Sequence, residues 1–171
     1  MKITISGPPG SGKTTVAKIL SEKLRIKLIS AGNIFRQLAL EKGMSVEEFS
    51  KFVEKNPEID VIIDKMQKEI AEKEKDVIIE GRLSGWMIKD ANLRVYLFAD
   101  SEVRYSRIAK RESKELSVVR QETKLREEIE KRRYQNFYNI NIEDWSIYDL
   151  IINSTRISAD KIVDIIIKAL K

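Results

Sequence analysis

The chain has 171 residues, 32 of them basic and 27 acidic, a net charge of +5, and neither cysteine nor histidine. That length suits one domain with its own core, so substrate-binding parts must be insertions rather than further domains. The missing residue types exclude disulfides and thiolate chemistry and leave carboxylate, lysine, tyrosine or water as the only general bases. No apolar run approaches the roughly 18 residues that span a bilayer, and no leader precedes the first apolar stretch, so a cytoplasmic protein with no membrane partner is expected. Charged residues reach 35%, against about 25% in ordinary soluble domains, a balance typical of thermophiles. Acids and bases are interleaved, so most of the charge reads as solvated helix face rather than as a surface for a nucleic acid polymer.

The most informative stretch comes first. Lys2-Ile3-Thr4-Ile5-Ser6 reads as a strand, and Gly7-Pro8-Pro9-Gly10-Ser11-Gly12-Lys13-Thr14-Thr15 fits the phosphate-binding pattern G-x-x-x-x-G-K-[ST] at every fixed position. A loop wrapped around a polyphosphate needs backbone conformations and close approach that Gly7, Gly10 and Gly12 permit. Val16, Ile19, Leu20 and Leu24 then recur at helical spacing, so the loop opens a helix whose positive end faces the anion. In that setting Lys13 bridges the β and γ phosphates and the Thr14 hydroxyl holds a magnesium ion.

Lys27-Leu28-Ile29-Ser30 is a second strand, and Ser30-Ala31-Gly32-Asn33-Ile34-Phe35-Arg36 turns from it into helix, with Phe35, Leu38 and Ala39 inward. Arg36, one turn into that helix, is placed to grip a second phosphate, although a lone arginine is as easily a surface residue. Ser45-Val46-Glu47-Glu48 has capping-box spacing, followed by a buried stripe of Val46, Phe49, Phe52 and Val53. Asn56-Pro57 reads as another helix start with Asn56 as the cap, and Ile59, Ile62, Ile63, Met66 and Ile70 form the next apolar face. Residues of about 32–73 thus make a helical subdomain, longer than a minimal crossover. A third strand, Asp76-Val77-Ile78-Ile79-Glu80, delivers Glu80 and then Gly81 and Arg82 to the end of a parallel sheet, where ligands gather. Glu80 suits magnesium-bound water and Arg82 an anionic substrate; the plainer reading makes them a salt bridge to each other.

Arg94-Val95-Tyr96-Leu97-Phe98-Ala99 is a further strand. From 101 to 134 the chain is helical and carries Arg104, Arg107, Arg111, Arg120, Arg126, Arg132 and Arg133, with Leu125 and Ile129 among its few apolar positions after Val119. Helices without a wide apolar stripe are weakly anchored, so a mobile arginine-rich flap is expected, the alternative being a solvated charged hairpin. Tyr148-Asp149-Leu150-Ile151-Ile152-Asn153 is the last strand, and Ser154-Thr155 leaves its end beside a base or in an ordinary turn. Ser158 caps a final helix with Ile162, Ile165, Ile166, Ala169 and Leu170 inward. Trp86 and Met87 read as core more readily than as pocket.

With these segments together, the chain resembles the nucleoside monophosphate kinases, and most closely the archaeal type of cytidylate kinase. Beyond the loop, the resemblance rests on Ser30-Ala31-Gly32-Asn33-Ile34-Phe35-Arg36, Glu80-Gly81-Arg82-Leu83-Ser84-Gly85-Trp86-Met87 and Ser146-Ile147-Tyr148-Asp149-Leu150-Ile151-Ile152-Asn153. It implies a three-layer α/β P-loop kinase fold: a five-stranded parallel sheet flanked by helices, its core at 1–31, 74–100 and 145–171. The helical insertions would be an NMP-binding part at about 32–73 and a LID at about 101–134. It also implies transfer of the ATP γ-phosphoryl group to CMP or dCMP with Mg2+, by a monomer. Residues 7–15 would cradle ATP, and Ser30, Gly32, Arg36, Arg82 and Glu130 would take the acceptor. Arg126, Glu130 and Arg133 match the pattern R-x-x-x-[DE]-x-x-R, whose arginines reach the transferred group. Arg107 and Arg111, at R-I-x-x-R, match the nucleotide-facing start of the lid. Glu80 and Glu130 each stand where related kinases often carry Asp, one methylene longer at the same charge.

Competing readings are a kinase for AMP, UMP or a small metabolite, and a GTP-dependent switch. The strings D-x-x-G and N-K-x-D that a switch uses are both missing, as is the glycine pair common in shikimate-type kinases.

Overall fold

A computed structural model describes residues 1–170, except for the side chains of Glu47 and Glu54. Its strands are β1 (Lys2–Ser6), β2 (Lys27–Ser30), β3 (Val77–Glu80), β4 (Leu93–Phe98) and β5 (Leu150–Asn153), and its helices are α1 (Lys13–Leu24), α2 (Ala31–Glu41), α3 (Val46–Lys55), α4 (Glu58–Lys73), α5 (Ser84–Met87), α6 (Ser101–Glu112), α7 (Leu116–Tyr138) and α8 (Ala159–Ala169). All strand pairs are parallel, in the order β2-β3-β1-β4-β5. β3 is apolar because parallel strands are covered on both faces, and every one of its residues is buried. β1 lies at the centre, and the chain crosses to opposite sides of it on the way to β2 and to β4, which makes its end a topological switch point. Register brings Ser30 opposite Glu80 and Ile5 opposite Glu80, so the carboxyl ends of β2, β3 and β1 finish together.

Two apolar cores flank the sheet. One joins Ile3, Ile5, Val95 and Leu97 to Val16 and Leu20 of α1 and Ile162, Val163 and Ile166 of α8. The other joins Ile29, Val77 and Ile79 to Ile34, Phe49, Val53, Ile59 and Ile63 of α2, α3 and α4. The capping box at Ser45 and Glu48 is complete. It starts α3 with Val46 turned to solvent, so the buried stripe reduces to Phe49 and Val53, with Phe52 half-buried.

Other expected positions also shift. Asn56 does not cap α4: it closes α3, its side chain donating to the Phe52 carbonyl at 2.8 Å, and Pro57 stands at the head of α4. Ile62 is exposed while Gln67 is buried. Ser158 occupies the cap position of α8 without a side-chain cap bond, Ile165 and Ala169 are exposed, and Val163 fills the core instead.

Candidate active site

The phosphate loop is held from behind. Gly7, Gly10 and Gly12 have φ of 152°, 77° and 88°, values that L side chains rarely adopt. At Gly10 a Cβ would also sit 2.6 Å from the Arg104 carbonyl oxygen, so α6 packs directly on the loop's backbone. The loop's carbonyls turn toward protein donors. Pro8 O accepts from Ser11 N–H at 3.2 Å, Pro9 O from Arg104 Nη1 at 2.9 Å, Gly10 O from Arg107 Nη1 at 3.2 Å and Ser11 O from Ser154 Oγ at 2.7 Å. With these carbonyls engaged by protein donors, the loop's N–H groups are the ones suited to an anion.

Arg104, buried and shared with Glu127 at 2.6 Å, is therefore a loop support. Composition flagged it only as one arginine among seven. Arg107 reaches the loop and the Ser154 carbonyl at 2.8 Å, whereas Arg111 is exposed and pairs with its neighbour Glu112 at 2.7 Å. Ser154 lies behind the loop, and the Thr155 hydroxyl accepts from Asp100 N–H at 2.9 Å; turn and support chemistry accounts for both.

In front of the loop the groups are side chains. Lys13 and Thr14 begin α1, and Lys13 Nζ lies 3.4 Å from its own loop's Pro8 carbonyl and 3.8 Å from Glu80 Oε1. The other oxygen of Glu80, a residue only 4% exposed, accepts from Ser30 Oγ at 2.7 Å. Arg82 is not the partner of Glu80. Its Nε donates to Glu130 Oε2 at 2.7 Å, and Arg126 Nε donates to Glu130 Oε1 at 2.8 Å, so one carboxylate of α7 collects two guanidiniums. Arg133 is held by Asp60 of α4, and Tyr138 donates to Asp64, one turn further on, at 3.2 Å. Arg36 is exposed, bonded to Asn33, and its Nη1 comes within 3.6 Å of the place a Cβ would take on Gly32.

Sequence reasoning missed Asp60, Asp64 and Gln67. The i, i+4 spacing of the two aspartates, beside rather than within the apolar stripe of α4, was the available signal.

Comparison with known proteins decides the family. The profile of the cytidylate kinase-like family matches residues 2–156. The chain belongs to the cytidylate kinase-like family. It is 69% identical over 171 residues to the cytidylate kinase of Archaeoglobus fulgidus, covering 100% of this chain and 95% of that one. It is 46% identical over 160 residues to the cytidylate kinase of Methanothermobacter thermautotrophicus, covering 94% and 99%. In fold the chain is similar to shikimate kinase from Acinetobacter baumannii, with a TM-score of 0.67 at 16% identity over 99% of this chain and 92% of that one. Five parallel strands flanked by helices are thus the P-loop kinase architecture.

Within this cytidylate kinase-like chain the charges are strongly coupled. Burial pulls the Lys13 ammonium down to about 8; Glu80 opposes this, and Arg82 and Arg126 add to it. Burial disfavours the Glu130 carboxylate, yet Arg82 and Arg126 outweigh it and hold the group at about 2. Burial likewise works against the Arg82 charge, which Glu130 more than offsets. Asp64 is pushed up to about 7 by burial, the Tyr138 hydrogen bond opposing and Asp60 reinforcing the shift.

Proposed function

We propose that this protein is an ATP-dependent kinase for CMP and dCMP, forming CDP or dCDP and ADP. The observation that carries the reading is geometric: Lys13 Nζ of the phosphate loop lies 3.8 Å from Glu80 at the end of β3, and Arg82, two residues on, is tied together with Arg126 to Glu130, so the donor cradle adjoins the arginine cluster. The 69% identity to a protein named cytidylate kinase supports the choice of acceptor.

Two polyanions repel, and bringing them into line requires fixed positive groups on both sides and between them. Residues 7–15 cradle the ATP phosphates, with Arg107 and Arg111 on the donor side. Ser30, Gly32, Arg36 and Arg82 take the CMP phosphate, within an NMP-binding part at about 32–73. Arg126 and Arg133, from a LID at about 101–134, meet the oxygens of the transferred group. Glu130 keeps Arg82 and Arg126 aligned while the site is empty of phosphate.

In the transfer, the bond from the γ phosphorus to the β–γ bridging oxygen breaks as a bond to an acceptor phosphate oxygen forms. The electron pair of the broken bond stays on ADP. A phosphate with a second pKa of about 6 is already ionised at neutral pH, so no base has to take a proton. A chain with no histidine can therefore run this reaction.

Magnesium prefers oxygen donors and is usually held by one or two carboxylates together with phosphates and water. The Thr14 hydroxyl and the buried Glu80 carboxylate fit that pattern and would hold the ion. When bound, it neutralises charge on the phosphates of ATP. We place the protein in the cytoplasm as a monomer acting on free nucleotides, not on a nucleic acid polymer or a membrane; among the described residues no helix is long and apolar enough to cross a bilayer.

The test is an acceptor panel with ATP and Mg2+. CMP and dCMP should give diphosphate with a kcat/KM at least about 10-fold above UMP and AMP. Preference for AMP or UMP would replace the substrate assignment, and turnover of no monophosphate would reject the kinase reading.

A further inference from the structure

Gln67 is a polar residue buried on α4, 5% exposed, where the four-residue spacing of the buried Ile59, Ile63 and Ala71 calls for an apolar side chain. Its Nε2 donates to the backbone carbonyl of Glu80 at 2.7 Å. Its position also explains the glycine that follows Glu80. A Cβ on Gly81 would lie 2.9 Å from Gln67 Oε1 and 3.3 Å from Gln67 Nε2, closer than side chains pack. Gly81 is not among the glycines with positive φ, so a side chain there is opposed by space and not by torsion, and would have to displace the Gln67 amide.

The same corner is fixed from the opposite side. Gly81 N–H donates to Ile5 O at 3.2 Å, and Ser84 Oγ donates to Gly81 O at 3.2 Å. Ser6 Oγ accepts from Gly85 N–H at 3.0 Å and lies 3.0 Å from Ser84 Oγ, all of it buried. The strand end carrying Glu80 and Arg82 is thus clamped between an amide from α4 and hydroxyls from β1 and α5. Neither clamp touches the anion cluster itself.

We infer that Gln67 is a positioning residue for the acceptor side of the site: its amide seats the Glu80–Gly81 peptide and thereby sets the reach of Arg82, and Gly81 is glycine to admit that amide. The inference rests on the kinase reading above. Removing the donor leaves a buried carbonyl unsatisfied, and the strand end then relaxes toward α4, carrying Arg82 with it. The phosphate loop, held by Arg104, Arg107 and Ser154, does not depend on this contact.

The experiment is steady-state kinetics on wild type, Gln67→Leu, Gly81→Ala and the double variant Gly81→Ala/Gln67→Ser, each checked for folding by thermal melting. Gln67→Leu keeps the volume and loses the donor, and should raise the KM for CMP about 10-fold while that for ATP stays within about twofold. Gly81→Ala should produce the same split by expelling the amide. The double variant, which lacks the amide from the outset, should lose no more kcat/KM than Gly81→Ala alone. A merely structural amide would lower the melting temperature without separating the two KM values.

Wild-type KM values in a folded Gln67→Leu, or a double variant that loses markedly more kcat/KM than Gly81→Ala alone, overturn the inference. Should Gln67→Leu fail to fold, Gly81→Ala and the double variant decide alone. The wild-type control separates the two levels: no turnover of CMP rejects the kinase reading and the inference with it, whereas an active wild type with an indifferent Gln67→Leu rejects the inference only.

Discussion

The two halves of the site bind phosphate by different means. The loop of 7–12 is one contiguous segment whose shape is imposed by local torsions and whose backbone is braced from behind by Arg104, Arg107 and Ser154. Its anion-binding groups are backbone amides, and the ion pair beside it is that of Lys13 with Glu80 at 3.8 Å. The arginine side is assembled from β3's end, α4 and α7, and its cations are already paired, Arg82 and Arg126 with Glu130 and Arg133 with Asp60. A phosphate arriving there competes with carboxylates rather than with water alone. Backbone cradles are therefore specific to shape and insensitive to most side-chain changes, while paired arginines hold their positions at the cost of an exchange each time substrate binds.

Removing Arg133 should break the arginine side most completely. Arg133→Ala is expected to lower kcat by about 10^3-fold or more, the scale of an arginine acting on a transferred phosphoryl group, while KM for CMP changes far less. An unchanged rate constant in a steady-state assay removes Arg133 from the mechanism. On the loop side, Lys13→Met should lower kcat about 10^2 to 10^3-fold. The same change should raise the melting temperature of the free protein at pH 7. A lysine whose folded pKa of about 8 lies below its ordinary 10.5 costs stability fully below pH 8, and the cost fades as the pH rises toward 10.5. A lower melting temperature at pH 7 would contradict that sign.

Glu130→Ala unpairs Arg82, itself only 14% exposed at its side chain, and should destabilise the fold by about 3–5 kcal/mol, measurable by urea unfolding. For the wild type, a Glu130 carboxyl depressed from 4.5 to about 2 stabilises the fold fully above pH 4.5, and this is lost as the pH falls toward 2. Glu130→Gln should flatten the acid limb of the stability profile in that window; an unaltered limb would show the pairing to be weak in solution. The mildest effect is a proton count. ATP restores the charge on Lys13, so binding at pH 8.5 should take up a fraction of a proton, visible as a buffer-dependent enthalpy in calorimetry and gone in Lys13→Met.

The comparison also separates what was legible in the sequence from what was not. The loop, the five strands, the capping box at Ser45 and the arrival of Glu80 at a strand end follow from torsional and periodic rules acting within a few residues, and all are read directly. Asp60, Glu127 and Gln67 act on partners 13 to 73 residues away that packing selects, and local spacing, which marks Asp60 only as one of an i, i+4 pair, does not name those partners. α7 shows the limit most clearly. Its apolar Leu125 and Ile129 are exposed, while Val119, Thr123, Glu130 and Tyr134 are buried, so the helix is anchored by a few scattered apolar contacts of Val119 and Tyr134 and by ion pairs that a search for an apolar stripe passes over.

The most direct measurement of the central claim is the affinity of a bisubstrate analogue, adenosine and cytidine joined through a chain of five phosphates. If one set of fixed cations spans both nucleotides, the analogue should bind at least about 10^2-fold more tightly than ATP or CMP alone, and both Lys13→Met and Arg82→Ala should remove that gain. Affinity no greater than that of ATP, unaffected by Arg82→Ala, would mean that the loop and the arginines are separate sites.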